Sequence, residues 1–411
     1  MASVALRGVP PVLRVPAFRD VWLATVASNA GTWLQNVAAG WLIFQLTGSA
    51  AAVGALALLT RAPAIFLSPY AGHLADRFDR RKVAVVALLA QTVGAGGLAV
   101  LSLFDAAGLA AIYVFTFLVG AGFALGLPAI LALIPTLVPR ELLSQSVSLN
   151  AAGVNVARLA GPAIGGVTLA LAGATVCFAL NAVSFLALVW ALSRVGPRPA
   201  PAAGQRAGAG EAFAYARRDA AVRRLLIGMA VFTGLASTIQ ELAPVVADRL
   251  DAGPEGLGLL LGAMGAGGLL GAYLLERSTA AGMPRSRALP LATLVFAVGL
   301  AAVAVAPTFA LTMGAMAFAG VFWIWMFAGT NTAIQLRSPP QYLGRMLGFY
   351  QLAVVAPIAV GPVIFGVLAE EIGIVASLVI CALVLAAWGV WSLLNPVRTI
   401  DVSQRDEGVS R

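Results

Sequence analysis

Apolar runs of roughly 20 residues follow one another along almost the whole chain, each closed by a short polar or charged turn. At 1.5 Å per helical residue, that length matches the ~30 Å hydrocarbon layer of a bilayer. Twelve such runs occur, at 21–46, 50–71, 83–103, 108–134, 146–171, 174–193, 224–247, 256–275, 288–306, 308–335, 345–369 and 372–394. A segment in lipid must satisfy its own backbone hydrogen bonds, so apolar stretches of this length fold as helices. The expected fold is an all-α polytopic membrane protein with twelve transmembrane helices.

Composition agrees with the pattern. The 411 residues are 60% hydrophobic and only 10% charged, where a soluble domain carries about 25% charged residues. The mean hydropathy is +0.93. Charge then orients the spans. Of 26 Lys and Arg residues, 23 fall in the two tails and in alternate loops, Arg249 stands in the opposite set of loops, and Arg61 and Arg158 lie inside spans. Lys and Arg collect on the cytoplasmic side. Both termini are therefore expected in the cytoplasm, and the chain in the cytoplasmic (inner) membrane. The net charge of +9 follows from this bias, and no dense basic patch or motif points to nucleic acid. Cys177 and Cys381 sit in apolar stretches without ligand-like neighbours and read as buried thiols. No metal site and no cofactor is expected. Residues 1–19 lack the apolar core and small-residue cleavage site of a removable leader.

The longest loop, 194–223, divides the chain. Its Pro/Ala/Gly-rich part, 195–210, reads as flexible. The part over 211–224 places Phe213, Ala216 and Ala220 at helical spacing against Arg217, Arg218, Arg223 and Arg224, which predicts a short interfacial helix. The expected organisation is an N-terminal six-helix half (1–193), a linker (194–223), a C-terminal six-helix half (224–394) and a tail (395–411). The halves repeat. Pro139, Leu143, Gly161-Pro162 and Gly166 match Pro339, Leu343, Gly361-Pro362 and Gly366 at a constant offset of 200 residues. Two parallel six-helix repeats predict a rocking transporter with its site between the halves near the bilayer midplane.

The turn between the second and third spans is dense in charge: Gly72, Asp76, Arg77, Asp79, Arg80, Arg81 and Lys82 within eleven residues. It resembles the loop between helices two and three of the major facilitator superfamily, Gly-x-x-x-Asp-(Arg/Lys)-x-Gly-(Arg/Lys)-(Arg/Lys), with Asp79 in place of the second Gly. Gly161, Pro162, Gly165 and Gly166 in helix five are similar to the core of the motif associated with antiporters, and Ala157 and Ser148 stand where that motif has its upstream glycines. Gly31, Trp33, Gln35, Gly40, Trp41, Gly48 and Ser49, with the Ala75–Arg81 turn, look like the branch containing the enterobactin exporter and macrolide efflux proteins. The resemblance covers essentially the whole chain and implies the major facilitator fold. It also implies that Asp76 faces the N-terminus of helix eleven near Gly344, a charge–dipole contact worth about 0.3–1 kcal/mol. Gly72, Asp76, Arg77, Arg80 and Arg81, with Gly161, Pro162, Gly165 and Gly166, are the expected gating residues; packing alone also accounts for the glycines and the proline.

Polar residues inside spans mark the expected path. Arg61 and Arg158 lie 11 and 12 residues from their cytoplasmic helix ends, about 16–18 Å deep. A charge there must face the bundle interior or water. It either receives an anionic or polar substrate or bonds backbone carbonyls such as the one freed by Pro162. Asn29, Trp33, Gln35 and Asn36 on helix one and Gln240 on helix seven are candidates for the cavity wall. Glu241 is the one acid well inside a span. A carboxyl sheltered from bulk water suits proton uptake and release, and it equally suits pairing with an arginine. Helix four carries no Arg or Lys, unlike many proton-coupled members of the superfamily. Phe322, Trp323, Trp325 and Phe327 either stack on a flat ligand or pack against lipid. The lone His73 reads as a solvated helix end.

The reading is a secondary transporter that exports small amphipathic molecules, drug or siderophore-like, by alternating access and proton antiport, working as a monomer. An importer of a small organic solute is the alternative. A membrane-embedded enzyme would need a nucleophile–base pair or metal ligands within the spans. A receptor would not need buried Arg61, Arg158 and Glu241.

Overall fold

The computed structural model describes residues 10–196, 209–280 and 283–401. Its helices are α1 (Pro16–Thr47), α2 (Ala50–Arg77), α3 (Arg80–Leu103), α4 (Leu109–Leu133), α5 (Leu143–Ser193), α6 (Ala209–Arg218), α7 (Ala220–Ala236), α8 (Thr238–Glu241), α9 (Ala243–Arg249), α10 (Gly253–Ala280), α11 (Arg285–Val305), α12 (Phe309–Arg337), α13 (Leu343–Ile372) and α14 (Ile374–Leu394). No strand occurs among the described residues. Ten of these helical stretches are long and apolar enough to cross a membrane. One of them, α5, carries two of the predicted spans, because the backbone turns at Gly173 (φ +79°, ψ 174°). A side chain rarely tolerates that conformation, and glycine does. α1 adds a further span of 32 residues, made more polar than the ten by Thr25, Asn29, Gln35 and Asn36. Each of the twelve expected runs is helical over most of its length, the run over 224–247 with breaks.

Two local expectations are corrected. The pattern predicts an unbroken helix over 224–247, but the structure divides it into α7, α8 and α9. Leu242 leaves helical geometry (φ −93°, ψ 12°), and Pro244 sits in the first turn of α9. Proline has no N–H to return to the Gln240 carbonyl, so the ladder cannot run on through it. In the linker, the buried face of α6 is Ala212 and Ala216, while Phe213 and Ala220 are exposed. Tertiary docking sets that face: Tyr215 stacks on Tyr342 at 5.6 Å, and the Phe213 ring meets Phe349 edge-on at 6.1 Å. The Pro/Ala/Gly-rich 195–210 lies largely outside the described residues.

Met1–Ala39 with Ala62–Ala203 forms one compact unit, and Gly40–Arg61 with Gly204–Arg411 the other. In the first, α3 packs on α4 and α5 around Phe18, Leu88, Leu133, Phe185 and Leu192. In the second, α10 packs on α12, α11 on α12 and α14, and α7 on α13. Phe232, Phe296 and Trp323 close its centre with ring centroids 4.9–6.1 Å apart. Trp323 also stacks on Phe327 at 5.0 Å, and Trp325 donates to the Gly271 carbonyl at 2.9 Å. Much of the aromatic cluster of α12 is thus engaged within its own unit.

Gly361 on α13 faces the Gly234 carbonyl of α7 with no room for a Cβ. Such close approach is how helices associate where lipid supplies no hydrophobic drive. Gly361→Ala is expected to destabilise the protein by about 1–3 kcal/mol through overpacking. Thermal unfolding in detergent measures it, and an unchanged midpoint would contradict this packing.

Candidate functional site

Arg61 lies in the first half of α2, two residues before Pro63, and Glu241 ends the short α8. Both belong to the second unit. A guanidinium nitrogen (Nη2) of Arg61 donates to Glu241 Oε1 at 2.6 Å, with the side chains 20% and 19% exposed. The break in helix seven and the pair are linked. Glu241 is the last residue of the four-residue α8, its amide bonded to the Ser237 carbonyl at 2.9 Å, and it stands directly before the break at Leu242. At such partial burial an ion pair at contact is worth between the ~1 kcal/mol of bulk water and the ~4 kcal/mol of a protein surface region. A proton added to Glu241 cancels that attraction and frees the guanidinium for another partner.

A second acid acts at the start of the same helix. Glu370, in the last turn of α13, accepts a hydrogen bond from Ser49 Oγ and another from the Ala51 amide at 3.2 Å. Gly48 (φ +62°) turns the chain from α1 into α2 just before. A carboxylate here meets the positive end of the α2 dipole. Below it, Gly54 lies against the Pro362 backbone, and Gly366 against the Ala50 backbone. The first half of α2 is therefore tied to α13 by Glu370 and to α8 by Glu241. Sequence reasoning missed Glu370 and Ser49; the acid at the end of the span and the Thr47-Gly48-Ser49 turn were the available signals.

In the first unit, the Asn181 amide of α5 donates to Gln35 Oε1 at 2.7 Å. Gln35 is 1% exposed and Asn181 is fully buried, so Gln35 joins α1 to α5 and does not line an open surface. Asn29 donates to the Thr25 carbonyl at 2.8 Å. Trp33 packs beside Gly161, and the backbone of Leu34 beside Gly165. Pro162 and Gly166 are buried and Asn36 is partly buried. Gln240, in the second unit, is partly buried next to Glu241, and Arg158 is exposed. The structure thus brings together Arg61, Gln240 and Glu241 in one unit, and Trp33 with the Gly161–Gly165 stretch in the other.

In the charged turn, Asp79 caps α3 by accepting from the Lys82 amide at 3.1 Å. Its presence in place of the superfamily's glycine has this local reason. Arg80 donates to the Ala132 carbonyl at 3.4 Å. Arg77 and His73 are exposed, and Arg81 is partly so. The surroundings of Gly72 and the side chain of Asp76 are outside what the structure describes. Cys177 and Cys381 are buried free thiols.

The family model described as transmembrane secretion effector matches residues 9–408. The chain belongs to that family, within the major facilitator superfamily. It is similar to the enterobactin exporter EntS of Salmonella choleraesuis, 31% identical over 88% of each chain. It is 30% identical to the protein of that name from Shigella boydii, over 88% of this chain and 87% of the relative. Among solved structures it is similar to a bacterial homologue of the human lysosomal transporter Spinster, with a TM-score of 0.77 at 14% identity over 94% of this chain and 97% of the other. A bacterial homologue of the iron transporter ferroportin gives 0.69 at 16% identity, over 92% of this chain and 100% of the other. At those identities the likeness concerns the fold alone. The protein is a multi-pass membrane transporter.

Proposed function

We propose that this transporter exports a small amphipathic, siderophore-like molecule by alternating access, driven by protons moving the opposite way. The observation that carries the reading is 31% identity to an enterobactin exporter along 88% of each chain. In this reading the six-helix halves are residues 1–193 and 224–394, both termini are cytoplasmic in the inner membrane, and the monomer is the working unit. The Lys/Arg distribution supports that orientation. Asn29, Trp33, Asn36, Arg61, Arg158 and Gln240 line the path, and Gln35 is set aside for its packing role. The turn with Gly72, Asp76, Arg77, Arg80 and Arg81 and the helix-five segment with Gly161, Pro162, Gly165 and Gly166 act as gates.

The contact at 2.6 Å between Arg61 and Glu241 supports a coupling step. Hydrogen-bond donors of the substrate meet the ionised Glu241 that Arg61 holds in place; uptake of a proton by Glu241 removes that charge and displaces the substrate, so proton and substrate occupy the site in turn and cross in opposite directions. Release of Glu370 from Ser49 and the Ala51 amide frees the start of α2, which supports a gating role for that contact. Cells producing the protein should accumulate less enterobactin, or another lipophilic siderophore, than cells without it, and a protonophore should erase the difference. Faster uptake under an imposed proton gradient would overturn export.

A further inference from the structure

Apart from the ion pair, the second unit holds a basic cavity at the ends of α7, α11 and α14 that the transport reading does not use. Its cavity volume is about 40 Å³, more than the roughly 10–15 Å³ that a single water requires. Arg224 and Arg285 line it together with Ser286, Thr330, Trp388 and Ser392. Neither arginine is paired with a carboxylate among the described residues. The Ser392 hydroxyl is buried without a hydrogen-bond partner, in a residue 6% exposed. Among the described residues, Asp401 is committed to the amide and hydroxyl of Ser286 at the start of α11, and Asp219 to the α7 amides and Arg337. Two cations and an unanswered hydroxyl make a site for an anion with hydrogen-bonding oxygens.

An apolar groove adjoins it along the seam between the same two helices. The groove holds about 270 Å³ and is lined by Leu294, Val298 and Ala301 of α11 and by Ala382, Leu383 and Ala386 of α14. Val298 and Leu383 are each 64% exposed, so it opens outward, toward lipid. Pro290 in the cavity and Leu294 in the groove are successive turns of α11, and both come up against Gly389 of α14. From Leu289 to Ala301 the seam runs about 18 Å, which spans one ~15 Å leaflet of hydrocarbon. Arg224 lies 4.0 Å over the Trp391 ring and 6.0 Å from that of Trp388. Tryptophans at a span end mark the headgroup level.

We infer that this seam is a binding site for an anionic glycerophospholipid, with its phosphate between Arg224 and Arg285 and one acyl chain along the α11–α14 groove. Charge complementarity selects the head, and continuity of the groove selects a lipid over a free anion. The site is independent of the exported molecule and of transport direction.

Native mass spectrometry of the purified full-length protein, with phosphatidylglycerol or phosphatidylcholine added, tests it. Phosphatidylglycerol should be retained and phosphatidylcholine lost. Arg224→Gln with Arg285→Gln should weaken retention roughly 30-fold at about 1 kcal/mol per arginine. Ala386→Trp, which fills the groove and leaves both arginines, should weaken it as well, and inorganic phosphate should not displace the lipid. Gel filtration of each variant separates lost binding from lost fold; a variant that does not elute as the wild type is replaced by Arg224→Lys with Arg285→Lys, in which retention should persist. Equal retention of the two lipids, unchanged retention in the folded Gln or Trp variants, or displacement by phosphate would overturn the assignment.

Discussion

Glu241→Gln is expected to abolish proton-driven efflux in reconstituted vesicles while substrate binding and downhill exchange persist. The amide keeps the size and hydrogen-bonding capacity of the carboxyl but cannot gain or lose a proton. Glu241 is ion-paired with Arg61, so the change has a second consequence: the guanidinium loses the charge it faces. At about one-fifth exposure on each side, water offsets part of that loss, and the cost to stability is about 1–3 kcal/mol. The two consequences separate experimentally. A coupling residue moves the proton dependence of transport whatever the melting temperature does. A residue that only neutralises Arg61 lowers the melting temperature and leaves the coupling of the surviving protein unchanged. Arg61→Gln supplies the partner measurement: Glu241 is retained and can still titrate, so substrate affinity should fall further than coupling. Wild-type coupling in Glu241→Gln would refute the carrier role and move the search to Asp20, Asp76 or the substrate.

What the sequence made legible follows from what lipid enforces. Helix in the hydrocarbon layer is obligatory, so each of the twelve apolar runs is helical over most of its length. The repeat was legible because Gly361-Pro362 and Gly161-Pro162 occupy sites where backbones approach neighbouring elements, and no larger residue fits there. The polar contacts were harder to see. Depth alone put Arg61 and Glu241 inside the membrane, but they are 180 residues apart in sequence, and depth does not say which arginine an acid meets. Polarity inside a span makes Gln35 a candidate for the cavity wall, but polarity does not show the partner across the helix, here Asn181. The break at α8 was hidden because proline near a span end is ordinarily tolerated. Asp219 lies inside the stretch 211–224 that the spacing predicts as one interfacial helix, which hides both its cap on α7 and its ion pair with Arg337.

Asp219→Ala is expected to give a large loss of thermal stability, although the residue lies in the linker region, far in sequence from the transport pair. Asp219 caps α7, its Oδ1 accepting from the Ala221 and Val222 amides at 2.9 and 3.0 Å. Its Oδ2 accepts from Arg337 Nε at 3.0 Å and stands 2.9 Å from Nη2, with the side chains only 10% and 9% exposed. Tyr215 of α6 donates to the Arg337 carbonyl at 3.1 Å. One carboxylate therefore helps to hold α6, the start of α7 and the end of α12 together. Removing an aspartate cap costs about 0.5–2 kcal/mol, and removing one member of a buried ion pair costs about 3–5 kcal/mol because the other charge stays desolvated. Asp219→Asn, which keeps a capping oxygen and loses the charge, should fall between wild type and Asp219→Ala. Asp219→Ala combined with Arg337→Leu should regain much of the loss, since the charge left behind in the single variant is gone. Thermal unfolding followed by tryptophan fluorescence measures all three. If Asp219→Ala unfolds at the wild-type temperature, the linker helix is not held through this residue, and the docking of α6 rests on the Tyr215–Tyr342 and Phe213–Phe349 contacts.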